Sequence, residues 1–599
     1  MKKNKLLNAI FKKLKINKND KINKLLIDFF NSENHKNKSD YQEFYNIFNT
    51  VELIFDFNTI LSFLFEAAKK TDVFIDQMNS DKLIDLLDSN NIDFLEELQK
   101  YLSGCYYMSN EKTKTNLQLP EIQKENSVNP ANSAIIMPVY VGDYYKQTSL
   151  GNLYMNTLNF DHPYPLRSDE TGVLDYKDLY FLDAINNFNE ILNSKYQCLP
   201  KNFKYPVYVV IGSTKKEINK EAYDWISGLI NKNCRLENLN VKYITQHFFD
   251  KIFNELIFSK IENCETDVRD YIKNIYSAGL CSYPNIRNFS ELFVAAEILT
   301  IYPDNLCGLI EIDEDQLIEK NYCELLKDNG ETFLGLGLNG LGSLLKNGKT
   351  ITIQAGEYYQ YNPNIPIKKS ISLSDVAPDK QDLSFNMFYQ KNNLYRKSID
   401  YIYKIDKKNS RHPSARGGLI FSLANSIIQG NSFCFDKITR GEDTARLISI
   451  YGETQEELRY IPLLKMAHNQ SKKLKQLMNI SGNDVAAADK TFVADLKRWL
   501  IKSALLNYYK NKGNNNIYKN FTPYPAGMLD NTECRVHLTM LLKILLEPLK
   551  ESKLRLLNSW FEVFRYYNAN QITNNYTLFL KSMSIISAII KKDRAVIKI

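Results

Sequence analysis

Tryptophan is almost missing from this chain, with 3 in 599 residues, and histidine numbers only 6. Arginine is sparse too: of 76 basic residues 15 are arginine and the remaining 61 are lysine. The 9 cysteines never form a Cys-x2-Cys pair. That spacing implies neither a disulfide framework nor a structural zinc site, and it suggests a reducing compartment. Nowhere does an apolar run reach the roughly 18–20 residues that a membrane-spanning helix needs. The start, Met1-Lys2-Lys3-Asn4-Lys5, is like that of a signal peptide, but the apolar stretch Leu6 to Phe11 is cut short by Lys12-Lys13. A secretory core runs about 7–15 residues and ends at a small-residue cleavage site. The expectation is a soluble protein, cytoplasmic or exported without a cleaved signal peptide into a host cytosol. A formal charge of +7 is modest for this length. Without a concentrated basic face it gives no reason to expect nucleic acid as a partner.

What is present describes a globular protein with real cores. The chain is 44% hydrophobic and 24% charged, with 38 Tyr and 32 Phe. Its length implies more than one domain. We expect an α+β multidomain fold: a helical N-terminal module (1–120), an α/β central domain (134–385) and a mainly helical C-terminal region (386–599). Leu7, Ile10, Phe11 and Leu14 recur at helical spacing between lysines. This basic helix could rest on an anionic membrane surface or dock on its own domain. Glu111–Ser133 is polar and aperiodic, which suggests a linker. Ala134–Val141 and Tyr205–Gly212 are continuous apolar runs of the buried-strand kind, and Thr350–Gln354 alternates as a strand does. Helices are expected at Lys220–Ile230, Gln246–Phe258 and Glu291–Ile301, then at Gln455–Met478, Asp489–Tyr509 and Leu538–Phe564.

Three patterns could carry chemistry. Gly335-Leu-Gly337-Leu-Asn-Gly340 matches the glycine spacing of a dinucleotide-binding turn. However, only Glu331–Leu334 precedes it and only Leu341–Lys346 is left for the helix, so a glycine-rich turn is expected. Asp313-Glu-Asp315 could hold a divalent metal for a nucleotide-sugar transferase, although acidic triplets are usually solvated, and no metal is assigned. The third pattern is Cys-x5-Arg, in which a thiolate attacks phosphorus while loop amides, the arginine and the next helix's dipole hold the phosphate oxygens.

Two segments fit that pattern: Cys281–Arg287 and Cys434–Arg440. Cys281 follows a helical stretch with no strand before it. Cys434 follows a short apolar run (Ser432–Phe435), and Glu442–Leu447 makes a good helix start after it. No arginine precedes Arg167, yet Arg411, Arg416, Arg440 and Arg446 crowd into 36 residues. Planar two-point binding of a phosphate or carboxylate is the role in which lysine cannot replace arginine. A local anion site and a buried ion-pair network both explain the crowding.

Residues Arg411–Leu447 resemble the active-site region of the phosphoinositide phosphatases that some bacterial pathogens deliver into host cells. The resemblance covers some 40 residues. It implies Cys434 as nucleophile, Arg440 as phosphate clamp and Lys437 as added positive charge; the crowding of arginines makes Arg411, Arg416 and Arg446 the further candidates for binding the anion. Gly441 stands where that family has a Thr or Ser. Ala377-Pro378-Asp379 resembles the acid loop of tyrosine phosphatases, which makes Asp379 the candidate general acid. The substrate expected on this reading is a phosphorylated small molecule or lipid headgroup, with no cofactor. A non-enzymatic assembly subunit with protein partners and a nucleotide- or sugar-dependent transferase are the alternatives.

Overall fold

A computed structural model describes residues 119–141, 180–213, 216, 219–360, 419–430, 432–438, 442–453, 456–468, 501, 504–506, 508–509, 511–514 and 569–599. Its frame is one mixed sheet. Strand β1 (Ile122–Lys124) lies at an edge, and β2 (Ser133–Val141) is the first long strand. Helix α1 (Tyr180–Ile191) leads to β3 (Tyr205–Ser213), and α2 (Asn219–Asn233) leads to β4 (Leu239–Ile244). Helices α3 (Gln246–Ile252), α4 (Thr266–Ala278) and α5 (Tyr283–Ile301) then return the chain to β5 (Gly308–Ile312). There follow β6 (Gln316–Leu317), α6 (Lys320–Asp328), α7 (Phe333–Leu338), β7 (Leu344–Leu345) and β8 (Thr350–Gln360). The described fold continues with β9 (Leu419–Leu423), α8 (Ala424–Ile427), α9 (Glu442–Gly452), β10 (Glu456–His468) and α10 (Ala569–Lys592).

The strand order is β1-β7-β8-β9-β5-β2-β3-β4, with β10 paired to β8 and β6. Strands β5, β2, β3 and β4 run parallel, while β9 is antiparallel to β5. From β2 the chain steps outward to β3 and β4, then crosses back to place β5 on the other side of β2. Strand side chains alternate between faces, and here each face meets helices. Val207, Val209 and Ile211 of β3 enter the core beneath α1 and α2, whereas Tyr208 and Val210 enter the core built with α3, α4 and α5. Burial on both faces explains why β2 and β3 read as unbroken apolar runs. The mixed α/β character expected of the centre is therefore present.

The expected strands at 134–141, 205–212 and 350–354 lie within β2, β3 and β8, and the expected helices at 220–230 and 291–301 lie within α2 and α5. That at 246–258 is α-helical only over α3 and continues as a π-helical turn into a 3-10 turn. Three further segments differ. Residues 119–133, the described part of the linker expected at Glu111–Ser133, belong to the fold, because β1 pairs with β7 and Asn126 is hydrogen-bonded to Ser343 and Gly342. Residues 456–468, within the helix expected at Gln455–Met478, form β10. The spacing of Leu458, Ile461 and Leu464 imitates a helical stripe, but Pro462 has no N–H to donate. The ladder with β8 is irregular between Tyr460 and Lys465, the place where a strand can hold a proline. Finally, β9 and β10 join the sheet from beyond residue 386, inside the region expected to be mainly helical. The N-terminal basic helix and the helix expected at 538–564 lie outside the described residues. Among the described residues no helix is long and apolar enough to cross a membrane.

Candidate functional site

Helix α5 runs through the middle of the protein, and nearly all its residues are buried. Its first turn abuts the carboxyl ends of β2 and β3. The Tyr140 hydroxyl donates to the Cys281 carbonyl at 3.2 Å, and the Tyr140 and Tyr283 rings lie 5.3 Å apart. A Cβ at Gly212 would fall 2.2 Å from Ile286 Cδ1, so only glycine lets β3 end this close to α5. Pro284 sits in the first turn, where its missing N–H costs nothing, and the Ser282 cap makes no side-chain capping bond.

Under this turn lies a buried cluster of charges. Arg287 binds Glu311 through Nη1 and Asp313 through Nη2, the latter at 2.8 Å. Glu311 also accepts from Arg446 Nη1 at 3.0 Å, so a single carboxylate bridges two guanidinium groups. Arg446 Nη1 reaches Glu291 at 2.5 Å as well, and its Nη2 donates to the Ser422 hydroxyl at 2.8 Å. Arg446, Glu291 and Glu311 are each nearly sealed from water. Burial pushes the Glu291 carboxyl above its ordinary range, against the pull of Arg446 and Arg287. Asp313 differs from the others: its side chain is 31% exposed and stands at the mouth of the cluster.

These groups gather where the parallel strand order reverses between β2 and β5. In open α/β sheets the crevice outside the carboxyl ends of the strands, at such a reversal, is where ligands bind. Tyr283 and Asp313 border it, Tyr140 is buried behind the Tyr283 ring, and α5 begins beside the strand ends. The Tyr283 ring suits a flat ring, the carboxylate suits hydroxyl donors, and a helix N-terminus suits an anion.

The residues singled out in the sequence are scattered. Cys434 is 1% exposed, on a segment flanked by buried Phe433, Phe435 and Ile438. That segment is coil where a short strand was expected. Lys437 pairs with the neighbouring Asp436 at 3.1 Å and stands over the Tyr271 ring at 5.5 Å. Arg446 is spent on carboxylates contributed by α5 and β5, far away in sequence. Arg440, Asp379, Arg411 and Arg416 lie outside the described residues.

Cys281–Arg287, the other match, brackets the first turn of α5 at the crevice. In Asp313–Asp315, Glu314 and Asp315 are buried. Among the described residues no group of three or more His, Cys, Asp or Glu side chains could hold a metal ion. The glycine motif lies elsewhere. Gly335 and Gly337 are inside α7, whose start is capped by the Thr332 hydroxyl accepting from the Gly335 amide at 2.9 Å. Leu338 packs on Gly308 at the amino end of β5, the end opposite Asp313. Gly340 does form a turn, with φ of 94°, pressed against Arg459.

Sequence reading missed Tyr140, Tyr283, Glu291 and Glu311. A usable signal existed for two of them. Glu291 lies four residues after Arg287, just before the apolar run Leu292–Ala296, and Glu311 interrupts the apolar strand Gly-Leu-Ile-Glu-Ile. A charge in such surroundings needs a partner.

Compared with known families and with curated proteins, the chain matches no family model and no curated sequence.

Proposed function

We propose that the protein binds a nucleotide or nucleotide sugar in the crevice at the carboxyl ends of β2, β3 and β5, and uses it in group transfer. The observation that carries the reading is Asp313, a partly exposed carboxylate fixed by Arg287 at the point where the strand order reverses. Tyr283, backed by the buried Tyr140, offers a stacking surface for the base or sugar ring. Asp313 accepts from sugar hydroxyls, and the first turn of α5 receives the phosphate. Binding at such a crevice is a general habit of open α/β sheets, which carry many unrelated activities.

A cysteine-dependent phosphatase centred on Cys434 draws less support. A thiolate that attacks phosphorus needs an open approach, and Cys434 lies beneath apolar neighbours. The test of the preferred reading is thermal unfolding of the full chain with millimolar ATP, UDP-glucose or inorganic phosphate. A ligand at a hundred times its Kd adds about 2.7 kcal/mol of stability. UDP-glucose or ATP is expected to raise Tm, and Tyr283→Ala or Asp313→Asn to abolish that rise. Absence of any rise with either nucleotide compound would overturn the proposal.

A further inference from the structure

Helix α3 does not end cleanly. It widens into a π-helical turn at Phe253–Ile257 and tightens into a 3-10 turn at Phe258–Lys260. Such π turns are rare and recur at functional sites. Here the changes of pitch carry Phe258 and Ile261 past the inner face of α4. Tyr276 of α4 meets Phe258 edge-on at 4.9 Å and Phe253 at 5.3 Å. Lys216 stands 4.5 Å above the Tyr276 ring and donates to its backbone carbonyl at 2.8 Å.

Between these elements is an open hollow of about 570 Å³, lined by Phe258, Ile261, Arg269, Lys273, Tyr276 and Ser277, with Glu262 at its rim. The volume falls in the range of small-molecule sites, roughly 300–1,000 Å³. Arg269, Lys273 and Tyr276 succeed one another at helical i, i+4, i+7 spacing, so one face of α4 supplies the cations and part of the floor. Lys273 is paired with Asp270 at 3.7 Å, both well exposed. Arg269 is the more telling residue. Its Nη1 reaches the Glu262 carbonyl at 3.3 Å, while its Nε is buried with no hydrogen-bond partner. With Nε shielded from solvent, it is the outer Nη edge of the guanidinium that can meet a ligand in the hollow.

We propose that this hollow binds a small amphiphilic monoanion: one carboxylate on an apolar body. Arg269 takes the carboxylate, with the Lys273 ammonium adding positive charge beside it. Phe258, Ile261 and the Tyr276 ring cover the apolar part. The site is separate from the strand-end crevice and stands whether or not that crevice binds a nucleotide.

The test is calorimetric titration of the full chain with decanoate below its micelle concentration, and with decan-1-ol as the uncharged comparison. Decanoate is expected to bind saturably at one site per chain, at least tenfold more tightly than the alcohol. Arg269→Gln should weaken decanoate about tenfold or more through loss of a charge-assisted pair. Ser277→Trp, a change at an exposed helix position, should fill the hollow and abolish binding even if Arg269→Gln folds poorly. The proposal is overturned if the unaltered chain shows no saturable binding or binds the alcohol equally well. It is also overturned if decanoate affinity survives Ser277→Trp.

Discussion

Asn288 holds the backbone of Cys434 with both ends of its carboxamide. The Cys434 N–H donates to Asn288 Oδ1 at 2.8 Å, and Asn288 Nδ2 donates to the Cys434 carbonyl at 2.7 Å. One side chain from α5 thus replaces the neighbouring strand that this segment lacks. Phe435 packs against Tyr576 and Phe579 of α10, and Tyr271 of α4 donates to Asp436 at 2.6 Å. The segment ties three helices together.

Asn288→Leu should therefore destabilise the protein strongly. Two buried backbone groups lose their partners, at about 1–3 kcal/mol each. Asn288→Asp keeps an acceptor for the Cys434 amide and should cost less. Urea unfolding of the two variants side by side gives the comparison, and equal midpoints would contradict it.

Cys434 should resist alkylation in the native protein while Cys198, which is exposed, reacts readily. Brief N-ethylmaleimide treatment followed by peptide mass mapping would show label on Cys198 and none on Cys434. Denaturant should then open Cys434 to the reagent. Rapid native labelling of Cys434 would instead restore it as a candidate nucleophile.

Arg446→Met should cost about 3–5 kcal/mol, because it leaves Glu291 and Glu311 buried beside one cation fewer. Arg446→Lys should recover little, since an ammonium cannot span Glu291, Glu311 and Ser422 together. Adding Glu291→Leu to Arg446→Met should give back part of the loss. A double-mutant cycle measures that coupling directly, and strict additivity would mean that the pair does not interact.

Glu291 also sets a pH dependence. Its folded pKa is raised above the ordinary 4.5, chiefly by burial. The folded chain therefore holds this proton more tightly than the unfolded one. Its contribution is fully present below pH 4.5 and declines as pH rises from there through the folded pKa. Glu291→Gln removes that decline. Relative to the unaltered protein, the variant should gain stability between pH 4 and pH 7 in urea titrations, and a difference that stays constant with pH would refute this assignment.

Gly337→Ala should destabilise through crowding. An added Cβ would lie 2.2 Å from Phe421 Cε1, on a strand at the centre of the sheet. Overpacking of this kind costs about 1–3 kcal/mol. Phe421→Leu in the same chain should relieve part of it, as the melting temperatures of the single and double variants would reveal.

Much of the sheet was legible from residue type alone. Tyr205–Gly212 reads as a buried strand because both of its faces are apolar, and both faces do meet helices. Strand β10 was hidden because Leu458, Ile461 and Leu464 satisfy a helical period as well as an irregular strand. The scarcity of arginine drew attention to Arg446, expected at an anion site or in a buried ion-pair network; in the structure it pairs with Glu291 and Glu311. Its actual partners could not be read, because Glu291 and Glu311 lie more than a hundred residues away and no local spacing relates them. Tyr283 at the crevice and Tyr140 buried behind it are invisible for the same reason: among 38 tyrosines, only the fold selects that pair.

The antiparallel seat of β9 against β5 has a consequence during synthesis. Strand β5 is complete once residue 312 has been made, but its free edge has no occupant until residues 419–423 follow. At about 5–20 residues per second, that edge stays open for roughly 5–20 s. An apolar strand with unpaired amides over such an interval is a template for the wrong neighbour. Production of this protein in a foreign host should therefore depend on how well chaperones guard such edges while the ribosome catches up.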